Sequence, residues 1–159
     1  MKRIVIACLT LFTAMTLAAC GTTPSSATPG QTKAVTILRH IDGSDAGFRD
    51  PGVQIINAAD ALETIGSGLL ASVDVDFKRQ SMIVLALGEQ PTSGWAARIS
   101  GVQQAGTTLF VQGTTHTPDD GDVVSQALTY PVAAVIVSKV QADVIHPEIE
   151  DAVADADGL

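Results

Sequence analysis

Histidines and carboxylates are the side chains of this chain that could bind a metal or move a proton. The histidines are His40, His116 and His146, and none has another histidine or a cysteine two to five residues away. A fold that brought His40 and His116 together beside carboxylates would create a hydrolase or a metal-dependent enzyme. Histidines this far apart in sequence are more often isolated surface residues, so that enzyme is kept as an alternative hypothesis.

The acidic cluster Asp119–Asp122 suggests calcium at first sight, but its spacing indicates a turn. An EF-hand loop alternates its carboxylates and has glycine at the sixth position, whereas this cluster reads Asp-Asp-Gly-Asp. The sequence also contains no G-x-S-x-G, Walker, H-E-x-x-H or G-x-G-x-x-G motif. We therefore predict that the protein is not an enzyme and uses no metal or cofactor.

The loop at 90–95 contains the residue types that give a loop a defined shape. In order, it includes Pro91, Thr92, Ser93, Gly94 and Trp95. The proline fixes φ, the glycine permits a positive φ, and the two hydroxyl groups can form hydrogen bonds. The tryptophan is the only one in the chain, and such rings often anchor interfaces. We predict that these five residues bind a partner; the alternative is a well-made connection whose tryptophan packs into the core.

The N-terminal residues have the features of an export signal. Lys2 and Arg3 precede the mainly apolar run Ile4–Ala19, which is too short for an ordinary transmembrane helix. The run ends in Leu-Ala-Ala-Cys-Gly at 17–21, which resembles a bacterial lipobox. The resemblance implies cleavage before Cys20 and multiple acylation of that cysteine, which would anchor it firmly in a membrane. The alternative is an ordinary signal peptide with an incidental cysteine.

Cysteine usage and charge narrow the function classes further. Cys8 would leave with the signal at 1–19 and Cys20 would be lipidated, so the mature protein would have no cysteine nucleophile and no disulfide. The segment 20–32 is uncharged and rich in Thr, Ser, Pro and Gly, which is typical of a flexible tether. The formal net charge of −8 argues against nucleic acid as a partner.

Apolar runs predict a single, mainly β domain over residues 33–140, with only a minor α contribution. The six apolar residues Met82–Leu87 indicate a central strand that is buried on both faces. Further predicted strands are Ala34–His40, Val53–Ile56, Gly94–Gln103 with a bulge at Gly101, Thr107–Gln112 and Val132–Val137. One helix is predicted over Ala58–Ile65, capped by Asn57 and ended by Gly66. The pattern favours a small antiparallel sandwich or a partly open barrel with one short helix.

The C-terminal residues 141–159 form an acidic tail. They carry six negative charges and no lysine or arginine. Pro147 can begin a helix, and Ile149 and Val153 would share one face of it. Both a short docked helix and a frayed end fit this pattern, and the density of like charges favours fraying.

A family resemblance covers about residues 75–140. Asp76-Phe77, the run Met82–Leu87, the turn Gly88–Trp95 and the later Gln126–Pro131 together resemble the C-terminal domain of the PrcB-like protease-complex subunits. Departures are Ser93 at a usual glycine and Trp95 at a usual tyrosine. The resemblance implies a lipoprotein that binds and stabilises a partner protease without catalysis of its own.

Residues 90–95 are also similar in outline to the Asn-Pro-Thr-Thr-Gly-Tyr loop of chagasin-like peptidase inhibitors. The Gly-Gly pair and the Arg-Pro-Trp element of those inhibitors are absent from this chain, so inhibition is the lesser alternative.

These observations predict a lipid-anchored envelope protein with a protein-binding β domain. The anchor at Cys20 would place it on the cell membrane or outer membrane, facing the periplasm or the exterior. The loop Gln90–Trp95, together with the loop Thr115–Asp122, would contact a secreted or envelope protease. A purely structural envelope lipoprotein without a specific partner is a further alternative.

Overall fold

The computed structural model describes residues 32–151 of the chain. Eight strands and one short α-helix follow one another in these residues. The strands are β1 (Lys33–Ala34), β2 (Ile37–Ser44), β3 (Pro51–Ile56), β4 (Gln80–Leu87), β5 (Ala96–Ala105), β6 (Thr108–His116), β7 (Pro131–Ser138) and β8 (Val144–Asp151). The helix α1 spans Ala59–Ile65, and a 3-10 turn follows at Leu70–Ser72. The predicted signal, Cys20 and the tether up to residue 31 lie outside the described residues.

The strands form two four-stranded sheets. The first sheet has the order β1-β5-β6-β8 and the second the order β2-β7-β4-β3. All pairings are antiparallel except the parallel pair β6–β8. Strands make up 51% of residues 32–151, and these residues close no barrel, so the predicted sandwich is confirmed.

The interior of the sandwich is built from alternating residues of both sheets. β4 and β7 contribute inward-facing side chains that pack against those of β5 and β6, because neighbouring residues on a strand point to opposite faces. The central members of this cluster are Ile83, Leu85, Val135, Val137, Ile99, Val102, Leu109 and Val111. The continuous apolar run at Met82–Leu87 is thus explained, since the other face of β4 is covered as well.

A third layer covers the outer face of the second sheet. Leu62 of α1 and Leu70 of the 3-10 turn pack with Phe48 on Met82 and Val84. The central strand predicted at Met82–Leu87 therefore lies between two apolar clusters, as the sequence indicated. β4 lies between β7 and β3 in the sheet, so its hydrogen-bonding edges are also paired.

The start of α1 differs from the sequence prediction. The N-cap is Ala58, and no side chain caps the helix. Asn57 does not serve as the cap: its Oδ1 accepts a hydrogen bond of 2.6 Å from the buried Ser81 Oγ. The end of the helix is as predicted, since Gly66 has a left-handed φ of 74° and its N–H bonds to the last turn.

The prediction of a frayed acidic tail is wrong for residues 144–151, while residues 152–159 of the predicted tail lie outside the described residues. Val144–Asp151 forms the edge strand β8, which pairs in parallel with Thr108–Thr115. Ile145 and Ile149 point toward the sandwich interior, while His146 stacks on Phe110 with ring centroids 5.5 Å apart. The folded body therefore extends to Asp151, past the boundary at residue 140. The negative charges of β8 and its Pro147 suit an edge strand, because both discourage pairing with another chain.

The hairpin β5–β6 agrees with the sequence prediction more closely than β8 does. A register shift between Ile99 and Gly101 places the bulge at the predicted glycine. The two strands meet at a turn around Gly106, and both extend two or more residues beyond the predicted ends. The predicted strand Ala34–His40 is divided into β1 and β2, which belong to different sheets.

Candidate functional site

The loop at 88–95 pairs with the long connection at 117–130 that leads into β7. Gln90 and Thr129 form an isolated antiparallel bridge, in which each backbone N–H donates to the other residue's carbonyl oxygen at 2.8 and 2.9 Å. We call these two segments, 88–95 and 117–130, the loop pair. Of the predicted loop Thr115–Asp122, the first two residues belong to β6 and Pro118 lies beside Gly94, whereas the hydrogen bonds to the first loop come from residues 123–130, which the sequence did not single out.

Ser93 and Gly94 fasten the first loop to the second. The Ser93 N–H donates to the Ser125 carbonyl at 3.0 Å, and the Ser125 N–H donates to Ser93 Oγ at 2.8 Å. Gly94 has a φ of 94°, and a Cβ on it would lie 2.8 Å from Pro118 Cγ. Both the backbone conformation and the close approach therefore require glycine at this position. Ser93 itself does not have a positive φ.

Thr92 and Trp95 fix the tip of the first loop. The Trp95 Nε1–H donates to Thr92 Oγ1 at 3.3 Å, and the Thr129 hydroxyl donates to the Thr92 carbonyl at 2.8 Å. Trp95 is half-buried, whereas Pro91 is exposed at the tip. The hydroxyl oxygens of Thr92 and Ser93 thus accept hydrogen bonds within the molecule, and each keeps its own proton for a further bond.

A groove of about 220 Å³ runs beside Trp95, between the start of β5 and the end of β2. Ala97, Pro131 and Val132 are buried and line its apolar part, while Asp42 lies at its rim. Its lining joins the loop pair to the body of the sandwich through Ser93, Gly94 and Thr129. A groove of this kind next to an aromatic ring could receive an apolar side chain of a partner.

Exposed apolar side chains lie on the second segment of the loop pair. Val123 is fully exposed and Leu128 is 60% exposed. Contact of a partner with these side chains lowers the free energy of the complex, because burial removes apolar surface from water.

Polar contacts at Tyr130 join the two segments of the loop pair to each other and to the body of the domain. Tyr130 donates its hydroxyl proton to Glu89 Oε2 at 2.9 Å, and this bond with the carboxylate raises the pKa of Tyr130. The Arg49 guanidinium lies 5.6 Å from the centre of the Tyr130 ring. The Arg49 contact connects the loop pair to the β2–β3 loop.

A buried carboxylate under the loop pair was not found from the sequence. Asp45 accepts hydrogen bonds from the Ser67 hydroxyl at 2.6 Å and from four backbone N–H groups, those of Gly47, Gly68, Leu69 and Leu70. Burial alone would raise the pKa of Asp45, but these hydrogen bonds together hold it below its usual value. The Asp45 N–H in turn donates to the Tyr130 carbonyl at 2.9 Å. The signal in the sequence was an Asp two residues before a glycine, which is typical of a side-chain turn.

The structure does not assemble a site from the histidines. His40 is exposed on β2, and His116 ends β6 in the other sheet, where it pairs with Ala96. Within residues 32–151, no histidine side chain forms a hydrogen bond to another side chain. The same residues contain no group of three or more His, Cys, Asp or Glu that could hold a metal ion.

The strand–loop–strand unit described above corresponds to a known family. Residues 81–138 match the family model described as PrcB C-terminal. This segment is a PrcB-like C-terminal domain. The PrcB-like segment runs from β4 to the end of β7 and contains the whole loop pair, so the resemblance stated from residues 75–140 is confirmed.

Comparisons with curated proteins and with solved structures find no match. Within residues 32–151, no helix has both the length and the apolar character needed to cross a bilayer. The PrcB-like family suggests a non-catalytic domain associated with a protease complex.

Proposed function

We propose that this protein is a membrane-anchored accessory subunit of the cell envelope that binds and stabilises a protease through the loop pair. The observation that carries the proposal is that the PrcB-like segment 81–138 includes both loops. The protein itself performs no catalysis in this proposal, and its contribution is a binding surface.

The geometry of the loop pair supports a binding role. Six hydrogen bonds join its two segments, and the Trp95–Thr92 bond braces the first of them, so little conformational freedom remains to be lost when a partner binds. The same surface carries exposed Val123 and Leu128, with Trp95 beside a groove. The centre of a protein–protein interface is usually ordered and presents apolar side chains, as this surface does.

Cross-linking in the native envelope, followed by identification of the cross-linked protease, tests the proposal. Leu128→Asp should weaken recovery of the protease at least about tenfold, because a charge would replace an apolar contact that is buried only in the complex. Leu38→Asp is the matched control, since Leu38 is 51% exposed on β2 and six residues from the loop end of that strand. Equal recovery with both variants would contradict the assignment to the loop pair.

Two further variants address the residues named from the sequence. Trp95→Ala and Thr92→Ala should each reduce recovery of the protease, since they remove the ring and the acceptor that hold the loop tip. The lifetime and activity of the recovered protease distinguish stabilisation from inhibition. Loss of protease activity on binding would support the chagasin-like alternative instead.

The membrane anchor is tested separately. Cys20→Ser should abolish the incorporation of labelled palmitate into the protein, because no thioether lipid can form on serine. Labelling of this variant equal to that of the wild-type protein would contradict lipidation at Cys20. Separation of the two membranes distinguishes the cell membrane from the outer membrane.

A further inference from the structure

The two ends of the sandwich differ in charge. One end, which we call the Lys33 end, includes the start of β1, the β5–β6 turn and the residues after β7. The loop pair lies at the opposite end, which we call the loop end. β5 has ten residues and connects the two ends, which places them about 30 Å apart.

Basic residues concentrate at the Lys33 end. Five of the seven lysines and arginines in residues 32–151 lie there, namely Lys33, Arg39, Lys78, Arg79 and Lys139. Four of them are contiguous: Lys33 and Lys139 line one groove, the Lys139 N–H donates to the Arg79 carbonyl at 2.8 Å, and Lys78 is next in sequence. Five acidic residues lie at the same end, which are Asp60, Glu63, Asp74, Asp76 and Asp143, and Glu63 lines a groove together with Asp74. Asp76 is paired with Arg79 at 2.7 Å.

The loop end is strongly acidic. Its basic residues are Arg49 and Arg98, and Arg49 lies over the Tyr130 ring. Its acidic residues are Asp42, Asp45, Asp50, Glu89, Asp119, Asp120, Asp122, Glu150 and Asp151. Of these only Asp45 is buried. Basic and acidic residues thus balance at the Lys33 end, whereas acidic residues are in large excess at the loop end.

The chain before residue 32 joins the body at the Lys33 end. Lys33 pairs with Gln104, next to the turn between β5 and β6, so the tether begins at the end that carries the basic residues. We propose that this charge polarity orients the anchored domain on an anionic lipid surface, with the Lys33 end against the headgroups and the loop end directed away. The inference rests on the membrane anchoring proposed above, and it adds the lipid charge that the domain recognises and the direction in which the loop pair faces.

The size of the effect follows from the surface potential of an anionic leaflet. At about −30 mV, each negative charge brought to the surface lowers the population of that orientation roughly threefold. The net charge of the loop end is several units, so contact of that end with the lipid is strongly disfavoured. The field decays within about 8–10 Å, so the loop end experiences almost none of it when it points away.

Energy transfer from the single tryptophan measures the orientation. The mature chain from Cys20 to Leu159 is coupled through its only thiol to a maleimide lipid, in vesicles that contain a dansyl-headgroup lipid as acceptor. Trp95 lies at the loop end, so energy transfer from Trp95 to the dansyl headgroups should be low on phosphatidylglycerol-rich vesicles. The transfer should be higher on pure phosphatidylcholine vesicles. Salt at about 1 M, where the Debye length is about 3 Å, should remove the difference. Equal transfer from Trp95 on both kinds of vesicle at low salt would overturn the proposal.

Two sets of variants complete the test. Trp95→Phe combined with Ser138→Trp moves the donor to the Lys33 end and should give high transfer on the anionic vesicles. Lys33→Gln combined with Lys78→Gln should raise Trp95 transfer on those vesicles, whereas Arg98→Gln at the loop end should not. Circular dichroism confirms that each variant is folded. Because the lipid is attached chemically, failure here refutes the orientation alone, and palmitate labelling of the wild-type protein and of Cys20→Ser still decides the anchor.

Discussion

The central strands and the loop pair are held together by different forces. β4 and β7 are buried almost throughout, and their side chains are apolar apart from Gln80, Ser81 and Ser138. The loop pair is held by hydrogen bonds between Gln90, Thr92, Ser93, Ser125 and Thr129, and most of its residues remain in contact with water. Burial therefore supplies the stability of the fold, while hydrogen bonds fix the shape of a surface that stays available to a partner. Substitutions in the two regions should consequently separate stability from binding.

The largest effect on stability is expected in the central strands. Ile83→Ala should lower the free energy of unfolding by about 3–4 kcal/mol, because it leaves a cavity between the two sheets at a residue with no exposed surface. Urea denaturation followed by circular dichroism measures this. Val123→Ala, at an exposed loop position, is the control and should leave the midpoint unchanged. A loss below about 1 kcal/mol for Ile83→Ala would show that the interior can collapse around the cavity.

Asp45, beneath the loop pair, should give the second largest effect. Asp45→Asn replaces one acceptor oxygen by an NH₂ group that faces N–H donors, so we expect a loss of about 2–3 kcal/mol. The pKa of Asp45 is lower in the folded than in the unfolded chain, so its stabilisation is complete above the unfolded pKa near 4 and disappears as the pH falls through the folded value. The exposed Asp50→Asn is the control.

The pH dependence can be measured by repeating the urea titration at neutral and at acidic pH. The wild-type protein should lose more stability on acidification than Asp45→Asn does. If both lose the same amount, Asp45 does not contribute to the pH dependence of folding.

Gly94→Ala should have a smaller effect on stability and a larger one on binding. The positive φ and the approach of Pro118 predict a loss of about 1–2 kcal/mol, with the two segments of the loop pair pushed apart. Gly121→Ala has open space around its Cβ and serves as the control. Calorimetric unfolding and recovery of the cross-linked protease together measure the two consequences. Unchanged protease recovery with Gly94→Ala would mean that the separation of the loops is irrelevant to binding.

Val123→Ser should have the smallest effect on stability. Its side chain is fully exposed, so the change should stay within about 0.5 kcal/mol. Binding of the protease should nevertheless weaken, because the valine offers apolar area that only a partner would cover. Undiminished binding would place the contact elsewhere on the loop pair.

Local features were predicted from the sequence where one physical cause dominated. Six apolar residues in succession indicated the central strand Met82–Leu87, and glycines indicated the bulge at Gly101 and the helix end at Gly66. β8 was not predicted, since Ile149 and Val153 fit the four-residue spacing of a helix that Pro147 could begin, although Ile145 and Ile149 lie on one face of a strand. Its partner β6 is also distant in sequence, so no local signal indicated the pairing.

In the candidate site, too, features set by local residue types were predicted, and features that depend on distant contacts were not. The residue types of Pro91–Trp95 indicated a shaped loop, and the second segment of the loop pair was named from composition only as far as Asp122. That Gly94 meets Pro118, and that Thr129 holds Thr92, depends on contacts between segments far apart in sequence. The same holds for Asp45 and Asn57, whose side chains bond to groups more than twenty residues away. Partner binding by these residues stays a prediction.

The position of β8 has a consequence for dissecting the protein. The PrcB-like match ends at residue 138, six residues before β8 begins, so a fragment cut at the family boundary would lose that strand. β6 would then present a nine-residue unpaired edge, with Phe110 no longer stacked on His146. Exposed edges of this kind template the pairing of one chain with another. Such a fragment should therefore self-associate in the test tube, and its oligomers would reflect the cut rather than the native protein.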